Sequence, residues 1–459
     1  MFVNRVSELE LLEKRYESNR AEMFVLYGRR RVGKTELLAQ FCKAKRHVFF
    51  VADQVPEQTL RANFSRAIND ALFGEGRVNA VYNTWDDLFT TLASQAQTER
   101  LIVVMDEFPY AALAHPPLAS ILQRLWDRVL KDSQIMLILN GSFIGMMEET
   151  VLGYQSPLYG RRTAQYLLEP LDFFAAQLFL PNFDADDRLR AYAVYGGTPP
   201  YLQVVDSSRP LEENIRETVL KRGAFLYDEV RFILQQELRE PRNYFAVLQA
   251  IAAGNSRQNE IKQASGVENI APYLETLQHL HLIERVVPVT ESQPQKSRLG
   301  LYRLKDNFIR FWFRFALPNR SQLERGAMDA VYDASIRPEL DAFAATVFEQ
   351  VCRQYFWKLG LEGNLPFQPR QIGGWWKAGG EIDVVILGES QTMLAECKWS
   401  RNPVGVDIFE QLVKKSKGFP QPVSHFGLCS RSGFTPQMTA LAEDREDILL
   451  FNWKDMAGG

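Results

Sequence analysis

Cysteine is scarce in this chain and widely scattered. Cys42, Cys352, Cys397 and Cys429 lie too far apart for a C-x-x-C metal motif and are too few for a disulfide framework, which suits a reducing cytoplasm. No apolar stretch approaches the roughly 20 residues that cross a bilayer, and Met1-Phe2-Val3-Asn4-Arg5 has no signal-peptide apolar core. A cytoplasmic protein without a membrane partner is expected. An excess of one charge is also missing: the net charge of −3 carries no chain-wide nucleic-acid signature, so any basic surface must be local. What is present is a folded composition, 46% hydrophobic and 24% charged. At 459 residues the chain exceeds what one core usually supports, and about three domains are expected.

The most specific signal is Gly28-Arg29-Arg30-Arg31-Val32-Gly33-Lys34-Thr35, a complete G-x-x-x-x-G-K-[ST] phosphate-binding loop. It follows the apolar run Met23–Tyr27 and precedes the helix-like Glu36–Phe41. Glycine at each end lets backbone N–H groups turn inward around a phosphate, and the following helix adds its positive N-terminal dipole. Lys34 would reach the β- and γ-phosphates of ATP, and the Thr35 hydroxyl would hold Mg²⁺. The three arginines inside the loop have no assigned role beyond solubility or phosphate attraction. Strand-like and helix-like segments then alternate, which predicts a parallel sheet. The run Leu101–Met105 ends in Asp106-Glu107. Asp106 is placed to hold Mg²⁺ through water and Glu107 to orient or deprotonate the attacking water. A further buried strand, 134–139, turns polar at Asn140-Gly141-Ser142, where Asn140 or Ser142 could sense the γ-phosphate; an Asn-Gly turn is the simpler reading. Arg161-Arg162 follow a turn and suit a charge-stabilising finger within the chain or on a neighbour, or else form a solvated pair.

These motifs occur with Phe2-Val3-Asn4-Arg5-Val6-Ser7-Glu8-Leu9-Glu10, Leu158-Tyr159-Gly160-Arg161-Arg162 and Tyr195-Gly196-Gly197-Thr198-Pro199-Pro200-Tyr201-Leu202. In that order they resemble a prokaryotic AAA-type ATPase family, best known from archaea, close to the STAND ATPases and more distantly to the replication-origin ATPases. The resemblance implies that Arg5 and Pro199 lie near the nucleotide base and that Arg161 is a nucleotide sensor or interface arginine. It also implies an α/β P-loop ATPase core over residues 1–170.

Apolar residues at helical spacing over 171–240 predict a helical lid that converts phosphate state into motion. Three short helices and a β-hairpin over 241–320 predict a winged helix. Its third helix, around Tyr273–His281, has no Lys or Arg, which favours a structural or protein-docking role over base reading; DNA contact is the other reading. His279 and His281, two apart, face different sides and do not suggest a shared metal.

Residues 321–459 carry a second constellation. A long helix bearing Glu349 leads to Glu381-Ile382-Asp383-Val384 and then Glu396-Cys397-Lys398-Trp399. Glu396 and Lys398 are two apart and share one face of a strand. An acid on one strand and Glu-x-Lys on its hairpin partner resembles the restriction-endonuclease-like PD-(D/E)XK superfamily, an α/β fold. The resemblance implies Mg²⁺ held by Asp383 and Glu396, Lys398 positioning water, Glu349 as an accessory acid and Gln411 assisting; a solvated salt-bridge face is the plain alternative. Two functions follow. In one, ATP state regulates a Mg²⁺-dependent DNA nuclease-like domain. In the other, the chain is an ATP-driven switch or scaffold whose non-cleaving tail binds DNA or protein, with a homo-oligomer or a protein partner engaged through the winged helix.

Overall fold

Parallel strands require long crossover connections, and the alternation of apolar runs with helical stretches in the first part of the chain folds accordingly. The computed structural model describes residues 2–238, 240–377 and 380–458. The chain divides into two compact units, Met1–Pro170 and Leu171–Gly459.

In the first unit β1 (Glu22–Tyr27), β2 (His47–Val51), β3 (Leu101–Asp106), β4 (Ile135–Gly141) and β5 (Ala164–Leu167) pair in parallel in the order β2-β3-β4-β1-β5. Successive residues face opposite sides. Val103, Met105, Leu137 and Leu139 pack with Phe64, Trp85 and Phe89 on one side. Ile102, Val104, Met136 and Ile138 pack with Leu37, Leu38 and Phe41 on the other. Both faces being covered, β3 and β4 are buried along their whole length, as their unbroken Ile, Leu, Val and Met runs require. Because β4 is inserted between β1 and β3, the C-terminal ends of these three strands stand side by side. That places the phosphate loop after β1 next to Asn140 and Asp106.

The second unit begins with helices, including Ala185–Tyr195, Pro199–Gln203 and Glu229–Glu237. Helices Pro241–Ala252, Gln258–Ser265 and Ala271–His279 follow, then a hairpin of β6 (Ile283–Val286) and β7 (Leu301–Leu304). This is the element order expected from the sequence over that stretch. The 22-residue helix Leu340–Leu361 precedes a mixed sheet. Its strands are β8 (Gln371–Lys377), β9 (Gly380–Leu387), β10 (Thr392–Lys398), β11 (His425–Ser430) and β12 (Ile448–Asn452), in the order β12-β11-β10-β9-β8. β8, β9 and β10 are antiparallel; β10, β11 and β12 are parallel. The early helices, the 241–304 segment and one face of this sheet share a single core running from Leu171 to Ala457. Trp312 and Asn307 tie it together by donating to the Tyr227 carbonyl (2.9 Å) and the Tyr192 carbonyl (3.3 Å).

A buried carboxylate anchors the start of β1. Glu22 is fully buried and accepts hydrogen bonds from Ser18 Oγ (2.7 Å), Arg20 Nε (3.2 Å) and Thr163 Oγ1 at the head of β5. Burial pushes its pKa up, but the hydrogen bonds outweigh that and hold it below the ordinary glutamate value. A carboxyl depressed in the folded state stabilises above its unfolded pKa, and that stability disappears as pH falls through the folded value. Glu22→Ala should cost about 3 kcal/mol, because it also strands the donors of Thr163 and Ser18. Urea unfolding at neutral pH checks this, and the gap between wild type and variant should narrow as pH drops below about 4. An unchanged midpoint would refute the anchor.

Candidate functional site

The loop after β1 is held open by its own backbone. Gly28 has φ 150°, and a Cβ there would lie 2.3 Å from the Leu168 carbonyl oxygen, so no other residue fits against the end of β5. Gly33, at φ 95°, starts the helix Lys34–Cys42. Lys34 is buried, and its Nζ donates to the carbonyls of Gly28 (2.8 Å) and Arg29 (2.9 Å), which holds the ammonium across the loop. Arg30 donates to Tyr110 Oη (2.6 Å) and lies 4.6 Å from the centre of the Phe143 ring. This loop arginine braces the loop against the segments that follow β3 and β4.

Asp106 is the hub. Its carboxylate accepts from Thr35 Oγ1 (2.7 Å), from the Glu107 N–H (2.9 Å) and from Asn140 Nδ2. Burial pushes its pKa up, and the nearby Glu107 charge adds to the rise. Asn140 Oδ1 is buried with no hydrogen-bond partner among the described residues. Glu107 adopts a left-handed backbone (φ 52°, ψ 43°), uncommon for a residue other than glycine. Its carboxylate accepts from Ser142 Oγ at 2.7 and 2.8 Å. Asn140 and Ser142 therefore have separate partners, one on each acid.

Arg5 and Arg161 each have protein partners of their own. Arg5 donates to Glu8 (2.8 Å), to the Val32 carbonyl (3.0 Å) and to the Glu169 carbonyl (2.8 Å). Its guanidinium is a strut between the loop and the chain leaving β5, not a free contact for a base. Arg161 precedes β5, where Thr163 N–H meets the Met23 carbonyl at the start of β1. Since β1 and β5 are parallel, Arg161 stands at the opposite edge of the sheet from Gly28, on the order of 15 Å away along the strand. It pairs there with Asp127 at 3.0 Å. A finger role on its own chain's phosphates is thus excluded. Pro199 lies in the second unit at the start of Pro199–Gln203. The preceding Gly197 has a structural reason: a Cβ would lie 1.8 Å from the Leu171 carbonyl oxygen.

In the second unit the β9–β10 ladder stops at Val384 and Ala395. One step further, Asp383 Oδ2 accepts from the Cys397 N–H (2.8 Å). Glu396, buried, accepts from Lys398 Nζ (2.7 Å) and from Lys415 Nζ with both oxygens (3.0 and 2.8 Å). Burial, with the charges of Glu396 and Glu349 nearby, pushes Asp383 up to about 7. Burial also raises Glu349, whose nearest basic partner is Arg353 at 3.5 Å. Gln411 is exposed, and the side chain that reaches the site from the helix Val406–Ser416 is Lys415, one turn later. The signal was available: Lys415 continues the buried stripe of Phe409 and Leu412 at helical spacing. The cysteine reading is also corrected, because Cys352, Cys397 and Cys429 converge. Spacing along the chain gave no hint of strands and a helix meeting there.

Among the described residues no helix is long and apolar enough to cross a membrane. Residues 2–205 match a family described as an ATPase domain predominantly from Archaea. Residues 312–412 match one described as archaeal and bacterial proteins of unknown function. An uncharacterised protein of Methanocaldococcus jannaschii is 33% identical over 465 residues, covering 100% of both chains. An uncharacterised ATP-binding protein of that organism is 54% identical over 46 residues, 10% of this chain and 78% of its own. The fold is similar to that of a Walker-type ATPase of Pyrococcus abyssi, with a TM-score of 0.51 at 20% identity over 68% of this chain and 96% of that one. A relative matched from end to end, joined to the domain match across the phosphate loop and the strand-end acids, shows that the chain belongs to the predominantly archaeal ATPase family, as a P-loop ATPase with a C-terminal mixed-sheet module.

Proposed function

We propose that ATP hydrolysis at the phosphate loop regulates a divalent-metal-dependent DNA-cleaving site formed by Asp383, Glu396 and Lys398. At the first site Lys34 and the loop N–H groups stabilise the β- and γ-phosphates. Thr35 and Asp106 would hold Mg²⁺, which neutralises phosphate charge when bound. The residues fit such an ion: a hydroxyl and a buried carboxylate meet at 2.7 Å, and Asn140 Oδ1 is an unused acceptor beside them. Glu107, steadied by Ser142, orients and deprotonates the attacking water. Arg161, at the far edge of the sheet, would act only on the nucleotide of a neighbouring copy, which makes hydrolysis depend on assembly. Pro199 as an adenine contact, the 171–240 segment as a lid and the 241–304 elements as a winged helix belong to the same proposal.

The observation that carries the second half is the acid and Glu-x-Lys arrangement on adjacent strands, in a helix–three-strand–helix–strand order like that of restriction-endonuclease-like domains. Asp383 and Glu396, with Glu349, would hold the divalent ion, which supplies Lewis-acid activation when bound. Buried carboxylates, one raised to about 7, are a donor set that a cation would relieve. Lys398 lies on the same strand face, placed to neutralise phosphate charge. One observation favours the non-cleaving alternative: Lys398 and Lys415 already satisfy both oxygens of Glu396. In that reading the tail binds DNA or protein and the chain works as an ATP-driven switch.

Lys34→Ala should weaken ATP binding at least roughly tenfold, whereas Glu107→Gln should keep binding and lower turnover roughly 100-fold or more. Filter binding and phosphate release separate the two, and wild-type turnover by Glu107→Gln would remove its assigned role. For the second site, purified protein with Mg²⁺ or Mn²⁺ should nick plasmid or single-stranded DNA, with and without ATP compared. Metal loading requires Asp383 to be ionised, so cleavage should rise with pH through about 7, and Asp383→Ala should abolish it. Absence of cleavage under every nucleotide condition would leave the switch reading.

A further inference from the structure

Cys352, Cys397 and Cys429 come from three elements: the helix Leu340–Leu361, β10 and β11. Cys397 and Cys429 are register partners across the parallel pair β10–β11, so both side chains leave the same face of the sheet. Cys352 descends onto that face from the helix packed over it. The three sulfurs lie within 4.8 Å of one another, and all three residues are buried. No histidine or carboxylate belongs to the group among the described residues. The three cysteines belong to the same buried core as Val351, Ala395, Phe348 and Trp453, with Trp399 packed against it, and the rings of Phe348, Trp399 and Trp453 pack on one another.

We propose that these three cysteines form a trithiolate site for a soft, thiophilic metal ion, Zn²⁺ or Cu⁺. A metal–sulfur distance of about 2.3 Å puts the sulfurs of such a site about 4 Å apart, so the observed triangle closes on an ion with shifts of less than about 1 Å. A disulfide would use only two of the three and gives no reason for the third to converge. The all-sulfur donor set and dry surroundings discriminate against Mg²⁺ and Ca²⁺, which take oxygen. Loading exchanges thiol protons for the ion, the protons leave to solvent, and no electron is transferred. The site is distinct from the acidic one: residues alternate along β10, so Cys397 faces one side while Glu396 and Lys398 face the other. Cys352 is one turn beyond Glu349, so a bound ion would tie the Glu349 helix to β10 and β11. The inference does not depend on DNA cleavage.

The full-length protein, purified under reducing anaerobic conditions and stripped with chelator, is offered Zn²⁺ in one arm and buffered Cu⁺ in the other, then desalted and analysed for metal and free thiols. One retained equivalent in either arm, with three thiols protected from alkylation and a raised melting temperature, is the expected result, and the arm identifies the ion. Cys42→Ser, in the first unit, should leave the stoichiometry unchanged, while Cys352→Ser and Cys429→Ser should each lose the equivalent. Folded wild-type protein that retains no ion in either arm overturns the proposal even if the variants misfold. A disulfide among the three in the protein as isolated overturns it as well.

Discussion

The nucleotide site depends on burying the charge-bearing group of Asp106. A carboxylate removed from water is costly unless hydrogen-bonded, and here three donors from three different places meet it. Thr35 comes from the helix after the loop, Asn140 from the end of β4, and the third is the N–H of Glu107. None of the three carries a positive charge. The cost of burial is therefore only partly offset, and the raised pKa of Asp106 reports the remainder. A cation between Thr35 and Asp106 would relieve it. The strand order makes this geometry possible, since only the insertion of β4 between β1 and β3 lets all three reach one carboxylate.

Glu396 in the second unit is solved in the opposite way. It is equally buried, yet two lysine ammonium groups surround it. The Lys398 ammonium also faces the charge of Asp383, so the two lysines serve a cluster of acids and not Glu396 alone. On the proposed reading, the cleaving and the purely binding tail would share this geometry. The difference lies in whether Lys415 yields its place to a divalent ion. On that proposal Lys415, which the motif did not include, would separate the two readings.

Much of the chemistry was legible because it is local in sequence. The loop 28–35, the acids at 106 and 107 and the Glu-x-Lys at 396–398 each sit within one strand end or turn, where spacing alone dictates which face a side chain takes. What was not legible depends on pairing between distant segments. Arg161 looks close to the loop in the order of motifs, but parallel pairing of β5 with β1 carries it to the other edge of the sheet. Arg5 is drawn to two backbone carbonyls that exist as a pair only after β5 returns beside the loop. Gly197, two residues before Pro199, is explained by close approach of the Leu171 backbone. Segments 171–240, 241–320 and 321–459 differ in pattern and still share one core, because apolar faces seek each other without regard to sequence pattern.

Strand β10 shows why a sequence motif can understate a structure. Its period of two separates Glu396 and Lys398 from Cys397, so three consecutive residues serve opposite faces of the sheet. On the acidic side the ladder has ended, and Asp383 takes the N–H of Cys397 that a strand carbonyl would otherwise accept. On the other side the same residue points its sulfur at Cys352 and Cys429. Cys397 is thus fixed twice, by its backbone to the acid and by its side chain to the helix that carries Glu349. Any displacement of that helix relative to β10 must disturb both ends. The thiol face and the carboxylate face are in this sense mechanically one.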